Sequence, residues 1–468
     1  MRDFGPGLPI SVSMSPRRAV HVGFAVAVLS ATLIIAGCGG SSGSSSSGSP
    51  TASTTAAANT TKSCSAGATT IQFWAWVPGI SRAVSAFNAS HPKICVQLSD
   101  LGAGAPEYVK LTQALKAGTG APDVAEVEYD VLPSFEITHN VLNLVPYGAQ
   151  SVRHDFVPWV WSEVTQGSDV YAIPGDTGPM ALYYNSALFA KYHLAVPKTW
   201  AQYAADAAKL HSVDPSAYIT NFSAIDLQWV LALMAQDGAF PFQYTGGSHV
   251  TIDFTGPKQQ AFMAYWQKLM SGHEVNGLTD VASPAFQAMD NGTDATWLSS
   301  AWGPSYFAPD ATKTKGEWRA APLPQWTAGA DAQTNWGGSS YPVFKGSKHP
   351  QQAAEFAMWL NSTQPAWNIT VTPASSLFPS YEPELNNKAF DSTLEAPSGP
   401  THPFKVFATA GKKTGGVQWP PFMTEALNDA TTDLAPAMAG KATLASGLAT
   451  LQSHLIQYAK AQGFSVST

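Results

Sequence analysis

Charge is scarce in this chain. Lys, Arg, Asp and Glu together make up 12% of its 468 residues, 25 basic against 32 acidic, for a net charge of −7. The first 37 residues hold Arg2, Arg17, Arg18 and Asp3, so the remainder carries 22 basic and 31 acidic groups, a net of −9. Phosphate backbones are gripped by clustered Lys and Arg, so nucleic acid is excluded as a partner. Cysteine is scarcer still: three residues without any paired spacing. The eleven histidines are scattered without a His-x-x-x-His pair, and neither a metal nor a cofactor is expected. A Gly-x-Ser-x-Gly elbow, a phosphate-binding Walker loop and a Gly-x-Gly-x-x-Gly fingerprint are all missing. Ser90-His91-Pro92-Lys93 matches Ser-x-x-Lys only formally, because it lies in a helix-to-strand turn and lacks the companion motifs. No internal repeat runs at solenoid periods.

What is present is apolar. Hydrophobic residues reach 45% and aromatics 11%, which rules out a disordered chain. The length suggests two to three domains with substantial cores. Fifteen tryptophans stand out, roughly twice the usual share. Many must fill cores, but Trp also offers a rigid apolar face with a polar edge, suited to ligands flat on one side and polar at the rim.

Arg17-Arg18 precede an uncharged stretch from Ala19 to Ala36, closed by Ile35-Ala36-Gly37-Cys38. A basic region, an apolar region and small residues before a cut describe a secretory signal over residues 1–37. A cysteine at the cut resembles the bacterial lipobox, with Cys38 lipidated as the mature N-terminus. Met14 serves as a start as well as Met1. The alternative is an uncleaved anchor, since 18 apolar residues just suffice to span a bilayer. Either way the rest of the chain lies outside the cytoplasm, on the membrane's outer face. Residues 38–68 then form a tether: 39–63 are almost entirely Gly, Ser, Thr and Ala, with a reach of roughly 25–30 Å. Cys64 and Cys95 remain, and in an oxidising compartment they are expected to form a disulfide that contributes about 3–4 kcal/mol.

The globular part alternates. Ile71 to Trp76 reads as a strand, then Ile80, Val84 and Phe87 recur at helical spacing. Ile94 to Leu98 is a second strand, Pro106 opens a helix that stops near Gly118, and Val124 to Val127 is a third strand. This β-α-β-α-β run implies a parallel, doubly wound sheet with its ligand crevice at the strands' carboxyl ends, where Trp76 and Asp130 fall. Further on, Met180 to Asn185 reads as a strand and Trp200 to Leu210 as a helix capped by Thr199. Helices are expected at Leu227–Gln236, 259–270, 351–360 and near the C-terminus, with strands at 295–298 and 318–321.

The order of short motifs resembles a known family over nearly all of residues 69–462. The stretches are Phe73-Trp74, Ala86-Phe87-Asn88, His91-Pro92-Lys93-Ile94, Pro122-Asp123-Val124, Tyr171-Ala172-Ile173-Pro174, Leu182-Tyr183-Tyr184-Asn185 with Leu188-Phe189, Pro197-Lys198-Thr199-Trp200, Pro322-Leu323-Pro324, Gly337-Gly338 and Ala353-Ala354-Glu355-Phe356. Each is weak alone; the ordered set is similar to the extracytoplasmic carbohydrate-binding proteins of ABC importers, the maltose-binding-protein-like family. The resemblance implies a two-lobed α/β fold of type II, each lobe a mixed sheet flanked by helices. It implies lobe one from 69–177 with 337–385 and lobe two from 178–336 with 386–468. The chain would cross near Thr177-Gly178, near Trp336-Gly337 and after Leu385, with glycines absorbing hinge rotation. A carbohydrate held between the lobes, ABC permease subunits as partners, membrane attachment through the lipid alone and a monomeric chain follow from the same resemblance.

A sugar needs aromatic platforms plus carboxylates and amides for its hydroxyls. The resemblance places a stacking Trp at Trp302, ligand contacts at Trp76 and a hydroxyl-binding carboxylate at Asp130, with Tyr129 and Glu128 beside it. Asp176 lies beside the first hinge, Trp336, Gly337 and Gly338 at the second, and Asp226 opens a helix near the cleft. Trp74 reads as core, Trp229 at least as readily as core as site, and Trp419 before Pro420-Pro421 is a nearby aromatic outside the candidate set. One departure matters: the family's type case has small polar and charged groups after strand one, where this chain has Trp76-Val77-Pro78, so maltose is not inherited as the ligand. Two other classes compete. A secreted glycoside hydrolase needs two carboxyls across a scissile bond, whereas Glu126, Glu128 and Asp130 alternate along one wall. An adhesive surface lipoprotein is disfavoured by the lack of repeats.

Overall fold

The computed structural model describes residues 64–468 except 78, 103, 372–376 and 387–402. The expected signal segment, Cys38, residues 39–63 of the tether and the crossing after Leu385 lie outside the described residues. Along the chain run strands β1 (Thr69–Trp74), β2 (Ile94–Ser99), β3 (Val124–Ala125), β4 (Val127–Glu128), β5 (Ala172–Pro174), β6 (Asp176–Thr177), β7 (Met180–Asn185), β8 (Thr296–Ser300), β9 (Trp318–Ala321), β10 (Ser339–Pro342) and β11 (Phe378–Pro379). Helices α1 (Ile80–Ser90), α2 (Leu227–Gln236), α3 (Pro350–Ser362) and α4 (Pro403–Lys413) bear most directly on the site. Among the described residues, no helix is long and apolar enough to cross a membrane.

The first sheet begins as the alternation implies. β1 buries Ile71 and Phe73 completely and pairs in parallel with β2 and β3, Thr69 opposite Ile94 and Phe73 opposite Val124. α1 follows because Ile80, Ala83, Val84 and Phe87 form one apolar stripe, all buried, against which Phe356 of α3 sets its ring edge at 5.0 Å from Phe87. Cys64 and Cys95 are joined by a disulfide, Cα atoms 5.5 Å apart, which ties the chain ahead of β1 to β2.

One expectation needs correction here. Residues 124–127 are not one strand: the run breaks at Glu126, with β3 on β1 and β4 on β10. The β1, β2 and β3 pairings are parallel throughout, as their order implies. A further sheet has β10 antiparallel to both β4 and β5, with Ser339 opposite Glu128 and Tyr341 opposite Ile173, so parallel and antiparallel pairings mix as the resemblance implies. The reason is topological: β10 arrives from a distant part of the chain, not through a local crossover helix, and nothing then imposes the parallel direction.

The second sheet is antiparallel, β8 and β9 flanking β7. Its two faces belong to different apolar clusters. Met180 and Leu182 join a core built on Trp200, Phe222, Trp229 and Trp266, with Phe222 stacked on Trp266 at 4.4 Å. Ala181 and Tyr183 join the core of the first sheet through Phe407 of α4, 5.7 Å from Tyr183. Trp200, Trp229, Trp266, Trp297 and Trp318 are all at most 2% exposed, so a third of the tryptophans are packing residues in these cores.

Three strands run side by side between the sheets. Trp336 N–H donates to Gly178 O at 2.7 Å and Met180 N–H to Thr334 O at 3.0 Å, so the passages at 177–180 and 334–338 are zipped together. β11 completes the set by pairing with β6, Phe378 opposite Thr177.

Candidate ligand cleft

The carboxyl ends of the first sheet carry acids, and each is held differently. Glu126 sits where the strand changes partners and is 1% exposed. One of its oxygens accepts from Trp76 N–H at 3.0 Å and Val77 N–H at 3.2 Å, and the other from Ser339 Oγ at 3.1 Å. Ala75 N–H still donates to Ser99 O of β2 at 3.2 Å, and the donors after it turn to this side chain rather than to a strand. Glu128 receives Tyr108 OH at 3.0 Å, and Tyr108 in turn meets the Trp76 ring edge-on at 5.9 Å. Asp130, 4% exposed, accepts from Gln228 Nε2 at 2.5 Å. Gln228 belongs to the first turn of α2, among the elements of the second sheet, so this bond spans the cleft.

Burial without a counter-cation governs the electrostatics. Desolvation, with the charge of Asp130 adding to it, pushes the Glu128 carboxyl up to about 8. Burial lifts Asp130 to about 6 against the lowering bond from Gln228. Asp176 rises to about 7 through burial, opposed by its bond from Ser339 N–H at 3.0 Å.

The crossing strands form the floor. Asn335 accepts Gly178 N–H at 2.7 Å and donates its amide to Gly337 O at 2.7 Å. A Cβ on Gly178 would sit 1.9 Å from Trp336 O, and one on Gly338, at φ 104°, 2.7 Å from Asp176 O. Glycine is required at both because backbones approach too closely for any side chain.

Above this floor lies a cavity with about 290 Å3 of atom-free space, walled by Tyr129, Asp130, Glu163, Gln228, Asn335, Trp336, Gly337, Gly338 and Trp419. It is narrow, with room for at most one water. No Lys, Arg or His is among the residues lining it. A second space of about 270 Å3 adjoins it, lined among others by Glu163, Phe240, Thr334, Asn335 and Trp419.

The structure therefore brings Tyr129, Asp130, Trp336, Gly337 and Gly338 from the expected set around one cavity. The others stand apart from this cavity. Trp302 donates its indole N–H to Trp336 O at 2.9 Å and packs its ring 4.6 Å from that of Trp336. Asp176 borders a different small cavity beside Tyr341. Asp226 accepts Asp280 N–H at 2.7 Å, and Trp76 and Glu128 meet through Tyr108. Reading the residues missed Gln228, Asn335 and Glu163, and left Trp419 outside the set. Gln228 had one available signal, its place in the first helical turn immediately after Asp226.

A two-lobed frame whose cleft is floored by crossing strands and walled by acids, amides and indoles is a solute-binding architecture. Residues 74–367 match the family of bacterial extracellular solute-binding proteins, and the chain belongs to that family. Its fold is the type II two-lobed one, and family membership makes it an extracytoplasmic binding protein, which sets the hydrolase alternative aside. The ABC transporter associated binding protein from B. animalis subsp. lactis Bl-04, in complex with β-1,6-galactobiose, is similar with a TM-score of 0.74 and 31% identity over 86% of this chain and 100% of that one. The galacto-N-biose-/lacto-N-biose I-binding protein of Bifidobacterium longum shares the fold, TM-score 0.77 at 24% identity over 86% and 99% of the two chains. The arabinooligosaccharide-binding protein of Halalkalibacterium halodurans is 24% identical over 65% of this chain and 70% of its own length.

Proposed function

We propose that this protein captures a short oligosaccharide between its two lobes and presents it to the permease of an ABC importer. The observation that carries the reading is the cavity at the crossing strands, where Asp130 faces Gln228 across the gap and Trp336 and Trp419 supply indole surface. Carboxylates accept from sugar hydroxyls, amides both accept and donate, and indoles cover the apolar C–H faces. The chain division follows the crossings: 69–177 with 337–385 as lobe one, 178–336 with 386–468 as lobe two. Closure draws the walls together around the sugar and rotation is absorbed at Gly178 and Gly338. Attachment is through lipid on Cys38, and the protein works as a monomer on a Ser- and Gly-rich tether.

A disaccharide of about 23 heavy atoms, at roughly 0.3 kcal/mol per atom, gives about 7 kcal/mol and hence a low-micromolar Kd. Titration calorimetry with galactose, β-1,6-galactobiose, lactose and an unrelated tripeptide tests this. Binding to at least one disaccharide and none to the peptide is expected. Tight peptide binding with no sugar binding would end the carbohydrate reading.

A further inference from the structure

Trp419 stands between two spaces. The cavity against Asp130 and the adjoining one against Phe240 share Glu163, Asn335 and Trp419, so the indole and its neighbours form the wall common to both. The indole is held on several sides. Its N–H donates to Glu163 at 3.3 Å, and the other oxygen of the same carboxylate accepts Val417 N–H at 3.1 Å. The Phe240 ring sits edge-on to it, centroids 5.0 Å apart at 88°. The strand of chain that carries it also lies tight against the helix ending in Glu163, since a Cβ on Gly416 would come 2.8 Å from Ser162 Oγ and 3.1 Å from Trp159 O.

We infer that Trp419 is a partition that divides the cleft into two subsites and sets the length of oligosaccharide admitted, and that Glu163 is the positioning residue that holds the partition in place. The inference rests on the carbohydrate reading above and adds to it a determinant of ligand length. Two hydrogen bonds accepted by one carboxyl group fix both the backbone and the ring, so the indole cannot swing aside without breaking one of them in a partly buried site. Removing the ring opens one space into the other, which favours an additional sugar unit and strips the shorter ligand of its stacking face.

Glu163 gives the positioning role a separate readout. Burial, together with the charge of Asp130, pushes its carboxyl up to about 8, against the two N–H donors. A protonated carboxyl keeps only one good acceptor oxygen, so the double hold is complete only once the proton is lost. The ionisable groups around it are Asp130 and Tyr129, which line the same cavity.

Calorimetry with β-1,6-galactobiose and β-1,6-galactotriose on the full-length protein tests both roles. Trp419→Ala is expected to weaken galactobiose binding at least tenfold and galactotriose less than threefold, shifting the preference toward the longer sugar. Trp419→Phe keeps a ring and is expected to keep the wild-type preference within threefold. In wild type the ratio of the two affinities changes between pH 7 and 9, and in Glu163→Gln that change disappears. A ratio unmoved within twofold in Trp419→Ala, or a pH profile identical in wild type and Glu163→Gln, overturns the inference while leaving the proposed function standing. Failure of wild type to bind any of the sugars, galactose and lactose included, overturns both.

Discussion

The two walls of the cleft are made of different chemistry. From the first sheet comes Asp130, buried with its own donor, and beside it stands Glu163; Glu126 and Glu128, on the same strand ends, lie outside the cavity lining. From the second body and the floor come amides and rings, Gln228, Asn335 and Trp336. An ionised carboxylate only accepts, whereas an amide both donates and accepts. Where Asp130 is ionised, one wall therefore accepts hydrogen bonds from hydroxyls, and the other adapts to whichever group it meets. The acid wall is also the costlier one to ionise, because burial disfavours the charged form and no cation lines the cavity to offset it. The difference teaches that the two walls offer a ligand unlike partners, a carboxyl acceptor on one side and neutral groups that both donate and accept on the other.

The floor that keeps the walls in register offers the largest expected effect. Gly178→Ala would drive a methyl group onto Trp336 O and also to 2.7 Å from the Trp302 indole nitrogen. Separation of the crossing strands is expected to cost more than about 3 kcal/mol, read as a large drop in the thermal midpoint with loss of ligand binding. Gly415→Ala has nothing within 4 Å of the added carbon and is the control, expected within about 0.5 kcal/mol of wild type. Comparable loss in the two variants would mean the crossing is not a close-packed floor.

Asp130→Asn against Gln228→Ala compares the walls directly. The acid change removes a charged acceptor, for which about 1.5–3 kcal/mol, or roughly 10- to 100-fold in ligand affinity, is expected. The amide change removes a neutral partner and should cost about 0.5–1.5 kcal/mol. Equal losses by calorimetry would erase the distinction between the walls, and a larger loss from Gln228→Ala would reverse it.

How far the residues announced these walls depends on the kind of signal. The β1-α1-β2 unit was legible because Ile71 and Phe73 alternate while Ile80, Val84 and Phe87 repeat at helical spacing, both set by local geometry. Asp130, Trp336 and Gly337-Gly338 were legible through the order of neighbouring motifs. The direction of β10 was not, because it depends on a strand pairing made across more than two hundred residues. Nor were Gln228 and Asn335, since a lone amide has no periodicity or spacing of its own and acquires its role only when folding sets it opposite Asp130 or Gly178. Glu163 was hidden for a similar reason: its partners Val417 and Trp419 lie some 254 and 256 positions away. Trp302 shows the converse, a residue in the expected place whose indole N–H turns to the backbone of Trp336.

The smallest effect tests the burden carried by the acids themselves. Burial raises Glu128 and Glu163 to about 8, Asp176 to about 7 and Asp130 to about 6, all above their ordinary carboxylate values. A group of this kind binds its proton more tightly when folded than when unfolded, so between the two pKa values the native state holds more protons. Stability then falls with rising pH, from near the ordinary values around 4 up to about 8, and is level beyond. Asp280 and Asp294 of the second body, each raised to about 7 by burial, add the same sign. The thermal midpoint is therefore expected to be several degrees higher at pH 5.5 than at pH 8.5 without ligand. Asp130→Asn should shrink that difference by relieving Glu128 and Glu163 of a neighbouring charge, while Asp294→Asn should leave the cleft acids untouched and reduce it only by its own share. A midpoint that rises with pH would mean the acids find cationic partners in solution, and the contrast between a charged wall and an adaptable one would no longer describe the cleft.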